Sequence, residues 1–380
     1  MQQRHTAHLP AIDGMRALAV AAVVLFHLDE HLLPGGLVGV DLFFVISGFV
    51  ISTSLLRQRP QSLLPWLLDF YRRRVLRLLP LLLVVVMATF LLGTLLLPPG
   101  AWQGTYQHTG MAALAGVSNL VLALHPSSHF TAFAEGNPFI HSWTLAAEEQ
   151  FYLVFPLLLF AWQRWPQARL ASAMLPLLAL ASLLLATWQT RAMPAHAYYL
   201  LPARFWQLAA GALLYLHIAR HGVPAGARYA AWPGLILVLA GFVLARYPAV
   251  PFPDGLITVI GGLMLLAACS SASASVHSAP LKILASPPLA WIGRLSYAVY
   301  LLHWPLLVLL RGEGRLQGAA LWMYLPMVLG LAVAAHLGIE QPLRRIQWSW
   351  QRQSLTVLGL ALAACLCGAV GIAAMGLLSS

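Results

Sequence analysis

Residues 78–97 read LLPLLLVVVMATFLLGTLLL, an uncharged apolar run of the length that crosses a lipid bilayer as one α-helix. Such a helix needs about 20 mostly apolar residues, and about eleven stretches of the chain meet that requirement. We therefore expect an all-α fold, a polytopic transmembrane helical bundle of about 10–11 helices. The predicted spans cover residues 11–28, 36–56, 78–97, 145–163, 170–188, 203–218, 232–245, 256–270, 290–310, 319–339 and 354–378.

The composition excludes several classes of protein. The 380 residues are 60% hydrophobic and 9% charged, with a mean hydropathy of +0.78, whereas soluble proteins carry about 25% charged residues. These values exclude a soluble enzyme, a nucleic-acid-binding domain and a disordered chain. We expect a membrane domain over residues 1–350 with about ten spans, a terminal span within 351–380, and no soluble domain.

The net charge of +11 comes from 22 Lys and Arg against 11 Asp and Glu. The bases fall mainly at the ends of predicted spans, which indicates membrane lipids or an anionic ligand as partners rather than nucleic acid. A cytoplasmic N-terminus places most bases on the inner side, as the positive-inside rule requires, and leaves Arg204 among the few on the outer side. The three cysteines lack metal-ligand spacing, so we expect no metal site.

The first two spans carry unusual polar residues. Arg16 and His27 are eleven residues apart, about 16 Å of helical rise, and share one face of the first span. Such groups usually face a bundle interior or a water-filled cavity. In the alternative interpretation, Arg16 reaches lipid headgroups and His27 caps the end of the helix. The second span contains Gly39, Asp41 and Gly48. These residues could form a turn that faces a ligand, or they could allow close packing between helices.

Arginines are concentrated just before the predicted third span, at 72–74 and at 77. A positive-inside anchor needs fewer bases, whereas guanidinium groups pair with phosphate oxygens. A ligand with several phosphates, such as a coenzyme A, and an anionic lipid headgroup fit this cluster equally well.

The fourth and ninth spans hold further candidates. Glu148 and Tyr152 share a helix face, and Glu149 points about 100° away from it. Both acids could instead complement the helix N-terminus. His303 precedes Pro305, so it is either a functional group or a structural partner for the backbone at a kink.

Taken together in this order, the segments resemble the acyltransferase-3 family of integral membrane O-acyltransferases. That family transfers acyl groups, often acetyl, from a cytoplasmic donor to hydroxyls of sugars in glycans such as O-antigen, exopolysaccharide and peptidoglycan. Many members carry a C-terminal SGNH domain, which we do not expect here; the chain then acts alone or with a separate periplasmic acyl-transfer partner. The matching segments are residues 13–16 with His27, 39–49, 70–80, 142–152, 296–297, 303–305 and 340–344.

The resemblance implies a membrane enzyme that transfers an acyl group, acetyl in the first instance, from cytoplasmic acyl-CoA to a sugar or glycolipid acceptor. Acyl-CoA is then a donor substrate and no cofactor is permanently bound. His27 would act as general base. The implied catalytic residues are His27, Arg16, Glu148 and Asp41; the implied donor-binding residues are Arg73, Arg74 and Arg77; the implied substrate-binding residues are Ser142, Trp143, Tyr152 and His303.

Two rival functions remain open at this stage. A secondary transporter of an organic anion would use the same Arg and His residues as a binding path and would need a gradient. A scaffold or lipid-binding protein would need the arginine cluster but not His27. The resemblance favours the acyltransferase, located in a bacterial inner membrane with its N-terminus in the cytoplasm.

Overall fold

A computed structural model of the chain describes residues 9–57, 62–96, 104–124, 136–165, 169–271, 278–312 and 320–345. Within these ranges the regular secondary structure is entirely helical, which confirms the predicted all-α class. In chain order the α-helices are α1 (Pro10–Leu28), α2 (Gly39–Leu56), α3 (Leu63–Leu96), α4 (Gly104–Leu114), α5 (Ser118–Leu124), α6 (Trp143–Arg164), α7 (Arg169–Ala192), α8 (Pro194–Tyr199), α9 (Leu201–His221), α10 (Ala231–Leu244), α11 (Asp254–Cys269), α12 (Ala279–Leu284), α13 (Pro287–Gly312), α14 (Ala320–Ala335) and α15 (Gln341–Arg345).

The predicted spans coincide with helices wherever the structure describes the chain, because a long apolar segment can satisfy its backbone in lipid only by forming a helix. Seven helical segments in the described ranges are long and apolar enough to cross a membrane, and α10 and α11 are shorter apolar helices. The predicted span 354–378 lies outside the described residues. The seven segments are Pro10–Leu28, Gly36–Leu56, Leu63–Leu96, Ile140–Arg164, Ser172–Ala192, Pro287–Arg311 and Met323–Leu343.

The helices group into two units. The first comprises Met1–Arg59 and Gln150–Tyr297, and the second comprises Pro60–Glu149 and Ala298–Ser380.

In the first unit α2 crosses α9 at very short range. A Cβ atom on Gly48 would collide with the carbonyl oxygen of Leu208, and one on Gly211 would collide with the carbonyl oxygen of Val45. The close-packing interpretation of Gly48 is therefore confirmed.

The second unit shows that α3 is longer than predicted. It begins at Leu63, fifteen residues before the predicted span, and its 34 residues extend about 50 Å. The arginine cluster thus lies on the helix itself rather than just before it. Arginine and leucine are good helix formers, and Asp69 pairs with Arg72 and Arg73 at i+3 and i+4, so the helix continues through this charged segment.

Candidate functional site

Helix α1 carries the first two candidates, Arg16 and His27, and both side chains are half-buried. Arg16 lies beside Asp13, with 3.6 Å between Nη1 and Oδ1, and the Asp13 side chain is 7% exposed. Asp13 sits in the first turn, where an acidic group complements the helix N-terminus. The helix is unbroken from Pro10 to Leu28, so it holds Arg16 and His27 about 16 Å apart along one face, as predicted.

Asp41 forms a buried ion pair in the first unit. Its Oδ1 lies 2.6 Å from Nη1 of Arg204, and the two side chains are 0% and 1% exposed. The side-chain amide of Gln207 also donates to Asp41 Oδ1. Arg204, which the base count assigns to the outer side of the membrane, is thus buried and paired with a carboxylate rather than exposed to solvent.

Arg204 has two further contacts that fix its guanidinium. Its Nε donates to the carbonyl oxygen of Tyr198 at 2.8 Å, and the guanidinium carbon lies 4.9 Å from the centre of the Tyr198 ring. Burial raises the pKa of Tyr198 to about 12, so a neutral phenol ring faces the cation at neutral pH. Within the described residues, Asp41 Oδ2 and Gln207 Oε1 accept no hydrogen bond. The site thus keeps two buried acceptors available.

The arginine cluster occupies the N-terminal part of α3. Arg73 and Arg77 are four residues apart and Arg74 and Arg77 are three apart, so the three predicted donor-binding residues share one helix face. Arg73 is exposed and pairs with Asp69. Arg77 Nε is buried and has no hydrogen-bond partner among the described residues. An anionic ligand on this face would therefore meet one N–H group that the described part of the protein leaves unsatisfied.

His303 belongs to a buried polar cluster in the second unit. Its side chain is 0% exposed, its Nδ1 lies 2.5 Å from the carbonyl oxygen of Tyr300, and its ring centre lies 5.6 Å from that of His141. The Tyr300 hydroxyl lies 2.8 Å from Thr144 Oγ1 and 2.9 Å from the carbonyl oxygen of His141, to which it donates. Pro305 leaves the carbonyl of Leu301, not that of Tyr300, without its helical donor, so this contact does not support the interpretation of His303 as a backbone partner at the kink.

His141 is the residue that the sequence reasoning missed. It is 4% exposed, and neither ring nitrogen makes a well-formed hydrogen bond within the described residues. It precedes the predicted substrate-binding pair at the start of α6, but the chain separates it from His303 by more than 150 residues. His141 precedes the predicted span at residues 145–163 and His303 lies inside that at residues 290–310, so no spacing in the sequence indicates that they pair.

The remaining candidates lie in the short turn Ile140–Ser142 and in the first three turns of α6. Ser142 Oγ donates to the carbonyl oxygen of Phe139 at 2.6 Å, and Trp143 and Tyr152 are 4% and 5% exposed. Glu148 is half-buried, and so is Glu149, whose carboxylate lies against the backbone of Gly116, a residue with φ of 68°. Burial alone therefore does not separate the roles of the two acids.

The structure brings some candidates together. In the first unit Arg16 and His27 share α1, and Asp41 pairs with Arg204. In the second unit His303 lies in the cluster with His141 and Tyr300, and Ser142 directly follows His141 in the chain. Among the described residues no group of three or more His, Cys, Asp and Glu side chains could hold a metal ion.

Sequence comparisons add an independent finding. The chain matches a family described as an acyltransferase domain over residues 9–340. The peptidoglycan O-acetyltransferase OatA of Listeria monocytogenes is 30% identical over 359 residues, which cover 89% of this chain and 56% of that protein. The O-acetyltransferase OatA of Staphylococcus aureus is 30% identical over 352 residues, with 89% and 57% covered. The chain thus spans a little over half the length of these relatives. No solved structure matches it significantly.

Proposed function

The chain belongs to the acyltransferase family, and from that membership we propose that it is a membrane O-acetyltransferase acting on a hydroxyl of a cell-wall glycan. Two similar proteins carry O-acetyltransferase names, and one of those names specifies peptidoglycan. We propose acetyl-CoA as the donor, a bacterial inner membrane as the location and a cytoplasmic N-terminus. Helices long enough to cross a membrane support the membrane location.

The observation that carries the proposal is the arrangement of Arg16 and His27 on α1. An unbroken apolar helix holds a permanent cation and an imidazole on one face, and neither side chain is fully exposed. An imidazole exchanges protons near neutral pH and therefore suits a general base that acts on a sugar hydroxyl. A guanidinium binds the negatively charged groups of a donor that passes it. One helix thus carries a group for the donor and, about 16 Å farther along, a group for the acceptor hydroxyl.

The donor would bind through its phosphates. Arg73, Arg74 and Arg77 present three guanidinium groups on one face of α3, and the buried Nε of Arg77 is ready to donate. Planar guanidinium groups bind phosphate oxygens through paired hydrogen bonds, which suits the several phosphates of a coenzyme A. Asp69 already neutralises part of this charge, so the phosphates compete with its carboxylate for Arg73.

The proposed reaction begins when His27 takes the proton of the acceptor hydroxyl. The hydroxyl oxygen then attacks the thioester carbonyl carbon to form a tetrahedral intermediate, while Arg16, about 16 Å from His27 along α1, binds negative charge of the donor on its path into the bundle. Collapse of this intermediate breaks the carbon–sulfur bond, and the imidazolium returns its proton to the departing thiolate. The products are an acetyl ester and free coenzyme A. Transfer of the acetyl group by way of the His27 ring, followed by attack of the acceptor, would give the same products.

The other candidates take supporting roles in this proposal. Glu148 hydrogen-bonds the acceptor hydroxyls, and Ser142, Trp143, Tyr152 and His303 shape the acceptor site. Asp41 is fully buried against Arg204, so we propose that it positions α2 against α9 rather than contacting the reactants. A separate protein completes the transfer if the acceptor is a finished polymer outside the membrane.

Mass spectrometry of cell-wall glycans tests the proposal. Cells that lack the protein would be complemented with the wild type, His27→Ala, His27→Gln or His31→Gln. His31 is an exposed imidazole four residues beyond His27 and serves as the matched control. We expect an alkali-labile acetyl group in cells with the wild type and His31→Gln, and its loss with both His27 variants at equal protein level. Unchanged glycans in all strains would contradict the acetyltransferase and favour a transporter.

A further inference from the structure

A cavity of about 330 Å³ lies among α6, α7 and α9 in the first unit. It is formed by the last turns of α6 and α9 and by the first turns of α7, so it lies near one end of these three helices. Its walls are mostly apolar. Phe155, Leu159, Leu175 and Leu216 contribute buried side chains to them.

The polar side of the cavity is concentrated in the last turn of α9. His217, Arg220 and His221 all line it, and their spacing of three and four residues places them on one helix face. The two imidazole centres are 4.8 Å apart. In the described part of the chain no acidic side chain lines the cavity. One permanent cation and two potential N–H donors therefore face the cavity. No carboxylate among the described lining residues neutralises the charge of that cation.

The guanidinium of Arg220 is held at the cavity wall. Its central carbon lies 4.8 Å from the centre of the Trp162 ring on α6. A guanidinium placed over an aromatic ring keeps its edge N–H groups available, and those groups match two oxygens of a phosphate. Tryptophan is itself enriched where membrane helices meet the headgroup layer, which favours a lipid headgroup as the ligand of the neighbouring Arg220.

We propose that this cavity binds one anionic phospholipid, with its phosphate on Arg220, His217 and His221 and an acyl chain along the apolar wall. The segments Ile140–Arg164 and Ser172–Ala192 have the length and composition of membrane spans, so lipid surrounds two of the three helices that form the cavity. A phospholipid combines the required anion and apolar chain in one molecule. The bound lipid would join the ends of α6, α7 and α9.

Lipid titrations followed by native mass spectrometry test this assignment. The purified full chain would be titrated with phosphatidylglycerol or phosphatidylcholine, and the fraction carrying one lipid measured. Arg220→Gln removes the proposed phosphate ligand. Arg228→Gln is the matched control, because Arg228 is also exposed and also lies over an aromatic ring, that of Tyr229, at 4.6 Å, but does not line the cavity.

We expect the wild type to bind phosphatidylglycerol about tenfold more tightly than phosphatidylcholine, and Arg220→Gln to remove that preference while Arg228→Gln keeps it. Equal binding of the two lipids by the wild type, or equal loss in the two variants, would overturn the proposal. Ser172→Phe, which fills the cavity from α7, should weaken binding of both lipids. Unchanged lipid binding in a folded Ser172→Phe variant would place the lipid elsewhere and also overturn the proposal.

Discussion

Removing the buried carboxylate of Asp41 should destabilise the protein strongly. Asp41→Leu removes the carboxylate that pairs with the guanidinium of Arg204, which is 1% exposed in the structure and also contacts the carbonyl and ring of Tyr198. Breaking a buried ion pair from one side costs about 3–5 kcal/mol, because the remaining buried charge loses its counterion. For a unit of about two hundred residues this corresponds to a fall in Tm of about 10 °C.

A double variant tests the cause of that loss. Asp41→Leu combined with Arg204→Met removes both charges and keeps apolar volume, and such replacements are often close to neutral. We expect the double variant to lie within about 2 kcal/mol of the wild type, since Gln207 loses one acceptor. The matched control is Asp69→Leu, whose carboxylate is 23% exposed and whose ion pairs are worth about 1 kcal/mol or less.

Thermal unfolding of the four purified proteins in one detergent provides the measurement, and acetylation assays on the same samples add a functional result. The reasoning is refuted if Asp41→Leu costs no more stability than Asp69→Leu, or if the double variant is as unstable as Asp41→Leu alone. We expect the double variant to retain acetyl transfer. Loss of transfer in a stable double variant would instead support the sequence-based assignment of Asp41 as catalytic.

Two further predictions concern helix packing and donor binding. Gly48→Ala should cost about 1–3 kcal/mol by forcing α2 away from the Leu208 carbonyl, whereas Gly330→Ala, which has open space around it, should change the Tm little. Thermal unfolding of the two glycine variants measures these changes in stability. Arg77→Gln should raise the KM for acetyl-CoA about tenfold or more with little change in kcat, because it removes a charge-assisted donor. Arg72→Gln, on another face of α3 and paired with Asp69, is the control, and an equal rise in KM there would contradict the assignment of that face.

The sequence was sufficient to locate the long apolar helices that the structure describes, since apolar segments long enough to cross a bilayer must form hydrogen-bonded helices there. The start of α3 could not be located in this way. Hydropathy identifies where the apolar run begins at residue 78, but the helix extends back to Leu63 through charged residues stabilised by Asp69. Local ion pairs and helix propensity define that boundary, and a hydropathy pattern contains no information about either of them.

The pairing of Asp41 with Arg204 could have been inferred but was not. Asp41 is the third residue of α2 and Arg204 the fourth of α9, and both spans are predicted to start on the same side of the membrane. Two opposite charges at equal depth can form a pair without reaching water. The contact between His141 and His303 has no comparable signal, because it depends on how α6 and α13 pack in the second unit.

Transfer of a labelled acetyl group by the reconstituted protein tests the central claim most directly. The full chain, its His27→Ala variant and its His31→Gln variant would each be incubated with peptidoglycan fragments and acetyl-CoA carrying ¹³C in the acetyl group. Mass spectrometry would then detect the labelled ester. The account predicts labelled ester with the wild type and His31→Gln and none with a folded His27→Ala variant. Labelling by His27→Ala at the wild-type rate would contradict it.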